Sequence, residues 1–561
     1  MHSQPTCFTP FKKSIDSYSL PERFTFPFFY QPHPLCELAA EELQHHLMHQ
    51  QTWQHDFGLA EDNRTGTGKM FGVLLVQTQH GEIGYLSAFS GKVADSNHLP
   101  GFVPPVFDML TKEGFFRIGQ EELKQFSNRI QILSANPEIA RYQQAVSDTH
   151  ASSHVQIENH RADMIEGRKR RKVLRAEAEA HQANNSELTA LMAQLGKESV
   201  KEKNQLKALK SYWDEQLAAA ENNLKPLLDE INQLTMQRAA LSATLQQKLF
   251  QQYQFLNSHG ELKSLQAIFK ETPMRTPPAG SGECAAPKLL HYAFNHQLKP
   301  LALAEFWWGV SPKSEVRQHK NIYPACLGKC HPILGHMLVG VEQDENPLLS
   351  NPAIGKSIEV LYQDEVMLVI NKPAGFLSVP GKSIEDSVQH RMEQLFPHAK
   401  GFLIVHRLDM ATSGLMVIAL SKRAHKSLQK QFISRSITKR YVALIDGELE
   451  QTHGEITLPL RGDLIDRPRQ LVCFEHGKPA HTKWQVIDVK NGRTRVYLSP
   501  KTGRTHQLRV HCAHSLGFAM PIVGDDLYGK PAKRLHLHAE SLSLHHPITH
   551  EEMQFQVDPD F

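Results

Sequence analysis

The sequence predicts an α+β protein. It places a C-terminal domain on a mainly antiparallel sheet, preceded by a long α-helical coiled coil and a small mixed N-terminal domain. Strand-like runs dominate from residue 356 onward, without the regular alternation of strand and helix typical of a parallel sheet. Upstream, Gly nearly disappears from a stretch where apolar residues recur every three or four positions.

Length, charge and cysteine content limit the class of protein. A chain of 561 residues is too long for one ordinary core and predicts several domains. Its net charge is only +3, so a nucleic-acid surface must come from local clustering of positive charge. The 7 Cys show no paired framework, which fits a reducing compartment. Without a signal-peptide pattern or a bilayer-length apolar stretch, we expect a cytoplasmic protein with no membrane partner.

Residues 1–135 form the first predicted domain, a small mixed α/β one. Lys69–Val76 and Gly81–Ser87 have the pattern of a strand, a turn and a second strand. We find no motif with a known chemistry in this domain, so its role stays open.

Residues 150–256 predict a coiled coil or a helical hairpin. Its apolar seam comprises Leu206, Leu209, Trp213, Leu227, Ile231, Leu234, Leu241 and Leu245. Ser199 and Glu202 interrupt the seam, and Pro226 is expected to kink or break a helix. Two alternatives remain open: helices of one chain folding back on each other, or a homodimer or protein partner bound through the coiled coil. The basic run Arg168–Lys172 predicts either a solvated helix face or a phosphate-contacting patch.

Residues 280–345 form an accessory segment that contains three cysteines. Cys284, Cys326 and Cys330, with His331 close by, have the side-chain types of a zinc site. The spacing of Cys326 and Cys330 is looser than the usual C-x2-C, however, and buried reduced cysteine is the commoner explanation. We therefore predict no metal and keep zinc as an open alternative.

In the C-terminal domain, Asp409 lies in a polar segment, His406–Leu415, between the apolar runs Phe402–Val405 and Leu415–Leu420. Short apolar runs bounded by Gly, Ser and Thr predict buried strands. The carboxylate is then expected on a loop held by a rigid scaffold, where catalytic groups are often found. The alternative is a turn-forming Asp that accepts hydrogen bonds from nearby backbone N–H groups.

Three further polar segments accompany this one: Asn371–Pro380, Thr438–Leu444 and Lys501–His511. The last predicts a turn feeding a helix, with Arg504 and His506 near the helix start, where an anionic ligand is favoured. An ordinary amphipathic helix with a basic first turn is the alternative. The apolar face of this helix is predicted to be Leu508, Cys512 and Leu516, with Gly517 at its end.

Taken together, these segments closely resemble the RluA-type pseudouridine synthases over residues 356–561. The family pattern has K-P-x-G, H-R-L-D-x-x-T-S-G, K-x-Y and T-G-R-x-H-Q-[IL]-R-V-H, and all four occur here in that order. Arg467–Cys473 and Gly477–Ala480 are similar to the branch named for RluA itself. The resemblance does not reach the first 355 residues.

The resemblance implies an RNA pseudouridine synthase that flips a uridine out of structured RNA, with ribosomal RNA favoured over transfer RNA. No group is oxidised or imported, so no cofactor is expected. Asp409 is implied as the essential carboxylate, attacking C1′ or abstracting a ribose proton, and Arg509 as the guanidinium forked onto it. Tyr441 is expected to stack on uracil and to assist proton removal from C5.

The remaining predicted site residues are substrate-binding. Arg407 is implied to fill the space that the flipped base leaves, and Lys439, Arg440 and Arg504 are expected phosphate contacts. The set is completed by His406, His506 and Thr412. The competing hypothesis is a non-catalytic RNA- or ribosome-binding adaptor that uses a retained synthase domain and the coiled coil.

Overall fold

The computed structural model describes residues 6–60, 66–180, 185–399 and 404–561. The chain divides into two compact units, one of residues 1–108 with 250–561 and one of residues 109–249. In the described ranges, no helix combines the length and the apolar character that a membrane crossing needs.

The strands, in chain order, are β1 (Thr9–Pro10), β2 (Lys69–Gln77), β3 (Ile83–Phe89), β4 (Gln254–Leu256), β5 (Leu262–Ser264), β6 (Lys299–Trp308), β7 (Glu359–Gln363), β8 (Met367–Lys372), β9 (Ser413–Ala419), β10 (Thr438–Ile445), β11 (His453–Thr457), β12 (Leu460–Gly462), β13 (Gln470–Val472), β14 (His481–Lys490), β15 (Arg493–Pro500), β16 (Leu537–His545) and β17 (Glu552–Gln556). The helices are α1 (Pro34–His49), α2 (Phe115–Ser134), α3 (Pro137–Ala180), α4 (Asn185–Gln252), α5 (Leu265–Lys270), α6 (Ala285–Asn295), α7 (Cys330–Met337), α8 (Val388–Leu395), α9 (Lys422–Ser434) and α10 (Gln507–Ala513), with a short 3₁₀ turn at Pro347–Leu349.

The N-terminal sheet has the order β1-β3-β2-β6. The predicted strand, turn and strand are β2 and β3, which pair antiparallel. Strand β2 also pairs with β6, so that Leu74 lies opposite Leu86 on one side and Leu303 on the other. From the sequence, residues 1–135 and 280–345 were predicted to be separate regions. The pairing of β2 with β6 instead joins them in one sheet and one core. Pairing between strands so far apart along the chain leaves no local pattern to detect.

In the unit of residues 109–249, α4 runs antiparallel to α2 and α3. Arg171 of α3 binds Glu202 of α4 through two bonds of 2.5 and 2.7 Å, and Arg129 of α2 lies 3.0 Å from Glu230 of α4. The helical region begins at α2, earlier than predicted, because the Phe-rich start of α2 does not have coiled-coil composition. Glu202 therefore interrupts the apolar seam because it pairs with Arg171. Arg171 is buried, so this member of the basic run Arg168–Lys172 is not available to a phosphate.

Helix α4 continues through Pro226, so of the two predicted outcomes, a kink or a break, the break is wrong. Proline removes one backbone donor and crowds the preceding turn, at a cost of about 3 kcal/mol. That loss is confined to one turn of a helix of 68 residues, whose other turns keep their hydrogen bonds.

The C-terminal sheet has the order β11-β14-β15-β10-β16-β9-β8-β7, with β17 paired to β16. Its described pairs are antiparallel except for β16 with β9, which confirms the predicted mainly antiparallel sheet. Gly414 lies where β9 meets β16, and a Cβ there would approach the Ala539 carbonyl oxygen to 2.3 Å. The glycine of the T-S-G motif is therefore required by strand packing.

Two local features differ in how well the sequence predicts them. Ser is a preferred helix cap, which predicts a helix starting after Ser421, and its Oγ does accept a bond of 3.2 Å from the Ala424 N–H at the start of α9. Helix α10 ends at Ala513 rather than near Gly517, which leaves Leu516 exposed. In the predicted run before Asp409, Phe402 and Leu403 lie outside the described residues, while Ile404 forms a bridge with Ile418.

Segment 311–323 packs on the C-terminal sheet domain. Val316 belongs to the core beneath β10 and β15, and Asn321 donates a bond of 2.5 Å to the Gly529 carbonyl. Arg317 lies 3.1 Å from Asp466, which starts the loop that leads into β13. This segment therefore supports a loop of the C-terminal domain from outside that domain.

Candidate active site

A cavity of about 1130 Å³ opens beside the segment that carries Asp409. Its wall brings together nine of the ten residues predicted from the sequence: Arg407, His406, Asp409, Thr412, Lys439, Tyr441, Arg504, His506 and Arg509. The tenth, Arg440, lines an adjoining cavity of about 570 Å³ that also includes Lys439 and Arg504. Segments far apart in the chain therefore meet at one place.

The Asp409 carboxylate makes no hydrogen bond or ion pair within the described part of the chain. Its backbone closes a turn, since the Thr412 N–H donates to the Asp409 carbonyl at 3.1 Å. A turn-forming Asp would instead use its side chain to accept such N–H groups. The structure therefore argues against a turn-forming Asp. It favours a carboxylate that is available to another partner.

Lys372, from the K-P-x-G segment, binds the backbone of the loop that carries Asp409. The side chain is fully buried, and its Nζ donates to the carbonyls of Phe376 at 2.7 Å and Met410 at 3.2 Å. Burial lowers the pKa of Lys372 to about 7, an effect that the nearby charge of Asp409 opposes. The motif thus fixes the backbone next to Asp409 rather than contributing to the cavity wall.

Arg509 does not fork onto Asp409, so the predicted pairing is wrong. Its Nε and Nη2 bind the two carboxylate oxygens of Asp525 at 2.8 and 2.6 Å, and Nη2 also binds Asp526 at 2.8 Å. Asp525 is fully buried, and a buried carboxylate requires a cation beside it. Burial raises the pKa of Asp525, but the Arg509 charge and the hydrogen bonds outweigh it and lower that pKa overall.

Tyr441 is directed by an irregularity in the sheet. Arg440 lies opposite Ser541 and Tyr441 opposite Ala539, so Glu540 is the extra residue of a bulge in β16. Bulges re-aim the neighbouring side chains and are frequent next to active sites. Burial raises the pKa of the Tyr441 phenol, and the charge of Asp409 raises it further, so the hydroxyl stays protonated at neutral pH.

The predicted phosphate contacts differ in availability. Arg440 binds Glu540 through two bonds of 2.8 and 2.9 Å and stacks on Tyr497, so its guanidinium is already engaged. The Lys439 ammonium group makes no ion pair or hydrogen bond to another described residue, and burial lowers the pKa of Lys439. Arg407 is exposed and equally unpaired within the described ranges.

Two predicted substrate contacts have structural surroundings of their own. His406 Nε2 accepts the Val417 N–H at 3.1 Å, and its ring stacks on Phe432 at 4.6 Å. Burial lowers the pKa of His406 to about 3, so it is a neutral part of the scaffold. The Thr412 Oγ1 is buried and has no hydrogen-bond partner, which fits a contact supplied by a ligand.

The Gln507 side chain binds the turn that precedes α10. The Gln507 Oε1 accepts bonds from the Arg504 N–H at 3.1 Å and the Thr502 hydroxyl at 2.7 Å. The anion site expected at the helix start stays a prediction, since α10 has 7 residues and no side chain caps its first N–H groups. His506, immediately before the helix, instead directs Nδ1 to the Tyr528 hydroxyl at 2.9 Å.

Comparison with known proteins agrees with this geometry. Residues 366–514 match the family model of RNA pseudouridylate synthases. The dual-specificity RNA pseudouridine synthase RluA of Yersinia pestis is 49% identical over 210 residues, which are 36% of this chain and 99% of that protein. The chain belongs to the RluA family of RNA pseudouridine synthases.

Other members of this family match the same part of the chain. The protein of the same name from Haemophilus ducreyi is 47% identical over 223 residues, 38% of this chain and 97% of that one. The structure of human RNA Pseudouridylate Synthase Domain Containing 1 is 29% identical, covers 36% of this chain and 84% of its own, and has a TM-score of 0.31.

Sequence reasoning about this synthase missed several residues that shape the site. Asp525 and Tyr528 lie in the loop before β16 and Gln507 begins α10, and none of the three belongs to a periodic pattern that marks it as buried. The resemblance to the family includes a further block at Pro521–Asp525, and this block is the one sequence signal for Asp525. Arg509 was correctly assigned to the cavity wall but to the wrong carboxylate.

The zinc alternative gains no support. Hydrogen bonding with Cys284 lowers the pKa of the Cys326 thiol, and hydrogen bonding with Cys326 raises that of Cys284, so these side chains lie together. In the parts of the chain that the structure describes, no group of three or more His, Cys, Asp or Glu side chains is arranged to hold a metal ion.

Replacing Asp525 by Ala should lower the free energy of unfolding of the C-terminal sheet by about 3 kcal/mol, because it leaves the buried Arg509 charge without its main partner. Hydrogen exchange of β10 and β15 in increasing urea measures the change. The matched control is Asp526→Ala, which removes a carboxylate that is 38% exposed and should cost under about 1 kcal/mol. Equal losses in the two variants would contradict the assigned importance of Asp525.

Proposed function

We propose that this synthase converts specific uridines to pseudouridine in structured RNA, ribosomal RNA first and transfer RNA second, with Asp409 as the essential carboxylate. The observation that carries the proposal is the unpaired Asp409 carboxylate in a cavity that Tyr441 and Arg509 also line. The relatives named dual-specificity synthases support the choice of more than one RNA class.

The reaction needs one free carboxylate and no imported group. The C1′–N1 bond of the uridine breaks, the uracil turns, and C5 bonds to C1′; C5 then loses its proton and N1 gains one. Asp409 either attacks C1′ or takes a ribose proton, and both routes require an oxygen that is not already bonded. The ion pairs of the site support this role for Asp409. Arg509 binds Asp525 and Asp526, so it does not occupy the Asp409 carboxylate.

The uridine enters the cavity by leaving its stack in the RNA. Arg407 is exposed and unpaired in the described structure, two residues before Asp409, and we assign it to the space that the flipped base vacates. The Thr412 hydroxyl, buried without a partner, is available to bond the nucleotide once it is inside. Both groups gain a partner only when RNA is bound.

Tyr441 contributes a ring and a neutral hydroxyl. The ring is the flat apolar surface in the cavity on which uracil stacks. Because the phenol is protonated at neutral pH, it accepts the C5 proton only as it passes its own to water or to a base.

The RNA backbone is assigned to the adjoining cavity. Lys439 lies between the two cavities, and Arg504 lines both. Arg440 belongs to the scaffold in this proposal, since Glu540 and Tyr497 already hold it. Lys439 is therefore the principal phosphate contact.

Replacing Asp409 by Asn should reduce tritium release from [5-³H]uridine-labelled RNA at least 10⁴-fold, because the amide neither attacks C1′ nor accepts a proton. Affinity for RNA, measured by filter binding, should change less than threefold. Carbodiimide mapping of pseudouridines in cells with and without the protein identifies the RNA. Turnover by the variant would refute the role of Asp409, and a wild-type protein that binds RNA without tritium release would support the adaptor hypothesis.

Replacing Tyr441 by Phe should lower kcat by about 10²- to 10³-fold and leave KM within about twofold, since the ring still stacks while the hydroxyl is lost. Replacing Tyr441 by Leu should raise KM as well, because stacking is lost too. Single-turnover kinetics on a labelled RNA separates the two effects. A Phe variant with full kcat would show that the hydroxyl takes no part.

Replacing Lys439 by Gln should flatten the plot of log affinity against log salt by about 0.7–0.9, the value for one phosphate contact. The matched control is Lys490→Gln, which removes an equal charge from an exposed position on β14. Its slope should equal that of the wild type. A Lys439 variant with an unchanged slope would exclude this phosphate contact.

A further inference from the structure

A short relay of hydrogen bonds runs from the backbone of β13 to the wall of the cavity. The Gln470 N–H donates to the Tyr528 hydroxyl oxygen at 2.8 Å, and that oxygen lies 2.9 Å from His506 Nδ1. Tyr528 is 1% exposed and His506 is 7% exposed, so water does not take part freely. His506 lines the same cavity as Asp409.

The relay determines where the proton of His506 resides. Burial raises the pKa of Tyr528, so its hydroxyl keeps its single proton. Gln470 is a donor to that oxygen, and His506 Nδ1 is the remaining hydrogen-bond partner of the hydroxyl among the described residues. The hydroxyl therefore donates to Nδ1, which must be unprotonated.

The ring as a whole is neutral at physiological pH. Burial and the nearby Arg509 charge lower the pKa of His506 to about 4, against the opposing charges of Asp409, Asp525 and Asp526. A neutral imidazole with an unprotonated Nδ1 carries its proton on Nε2. Nε2 lies on the opposite edge of the ring from Tyr528 and makes no hydrogen bond to another described residue, so this edge lines the cavity.

The backbone of His506 is strained. Its φ of +52° and ψ of 18° lie in the left-handed region, which costs a residue with a Cβ about 1–2 kcal/mol. Such conformations persist where the surrounding structure enforces them, and they cluster at functional sites. In this backbone conformation, one edge of the His506 ring faces the cavity and the other edge faces Tyr528.

We propose that His506 is a hydrogen-bond donor to the uracil ring, held in its Nε2–H tautomer by the Gln470 and Tyr528 relay. This rests on the proposed function. When the C1′–N1 bond breaks, its electron pair stays on uracil and spreads over N1, O2 and O4. A fixed N–H donor at the cavity wall stabilises that charge without itself transferring a proton. A neutral donor has a further advantage here, since an imidazolium would pair with the Asp409 carboxylate and occupy it.

Tyr528 and Gln470 are positioning residues in this scheme. The β13 loop that presents Gln470 is fixed by Arg469 and Asp466, 3.1 Å apart, and by Arg317 of segment 311–323. The relay is therefore supported by segment 311–323, which lies outside residues 366–514, the part of the chain that matches the family model.

The test compares His506→Leu, His506→Gln and Tyr528→Phe by tritium release and RNA binding. The Leu variant should lose about 100-fold in kcat, the usual effect of removing one such donor, with RNA affinity within about twofold of the wild type. The Gln variant carries an amide N–H near the position of Nε2 and should recover at least tenfold of that loss. Hydrogen exchange of α10 checks that all three variants are folded.

A spectroscopic readout isolates the positioning role. Nitrogen-15 NMR of the histidine-labelled full chain should give a neutral Nε2–H signal that is absent from His506→Gln. In Tyr528→Phe this signal should shift toward a mixture of tautomers while kcat falls and KM stays constant.

Full kcat in His506→Leu, equal losses in the Leu and Gln variants, or an Nδ1–H signal in the wild type would each overturn the proposal. A wild-type protein that releases no tritium from ribosomal or transfer RNA refutes the proposed function instead. In that case the NMR experiment still decides the tautomer, because it does not depend on turnover.

Discussion

The buried pair of Arg509 and Asp525 is the interaction on which the active site depends. It joins α10 to the loop before β16, and both side chains are almost wholly removed from water. Asp525 also accepts the N–H groups of Leu527 and Tyr528 at 3.0 and 2.9 Å, so the same carboxylate sets the position of the Tyr528 ring. One ion pair thus holds α10, which lines the cavity, against the loop that carries Tyr528.

The two aspartates have opposite surroundings for a physical reason. A fully buried carboxylate is stable only with a cation and several N–H donors, and Asp525 has both. Asp409 lies at the cavity wall, where solvent in the free enzyme takes the place of such partners. The guanidinium expected beside Asp409 binds Asp525 and Asp526 instead, so it does not pair with the Asp409 carboxylate. Buried Lys372 contributes by fixing the Asp409 backbone rather than by bonding its side chain.

The sequence was sufficient to predict structure where the relevant residues are close together in the chain. The apolar run Leu415–Leu420 predicted β9 to within a few residues, Ser421 predicted the cap of α9, and ordered motifs predicted the wall of the cavity. It was insufficient where partners are distant in the chain: nothing near Arg509 indicates that Asp525 is its partner. The predicted helix break at Pro226 is wrong for the opposite reason. The local cost of a proline inside a helix is outweighed by the many other hydrogen bonds of α4.

The pairing of β2 with β6 has a consequence for how the protein is made. About 210 residues, including all of α2 and α3, separate the end of β3 from the start of β6. At a synthesis rate of roughly 5–20 residues per second, the ribosome needs about 10–40 s to cover that distance. During this interval β2 has only β3 beside it and exposes one open edge to the surroundings of the nascent chain. The order of translation therefore makes this protein dependent on whatever shields that edge until β6 emerges.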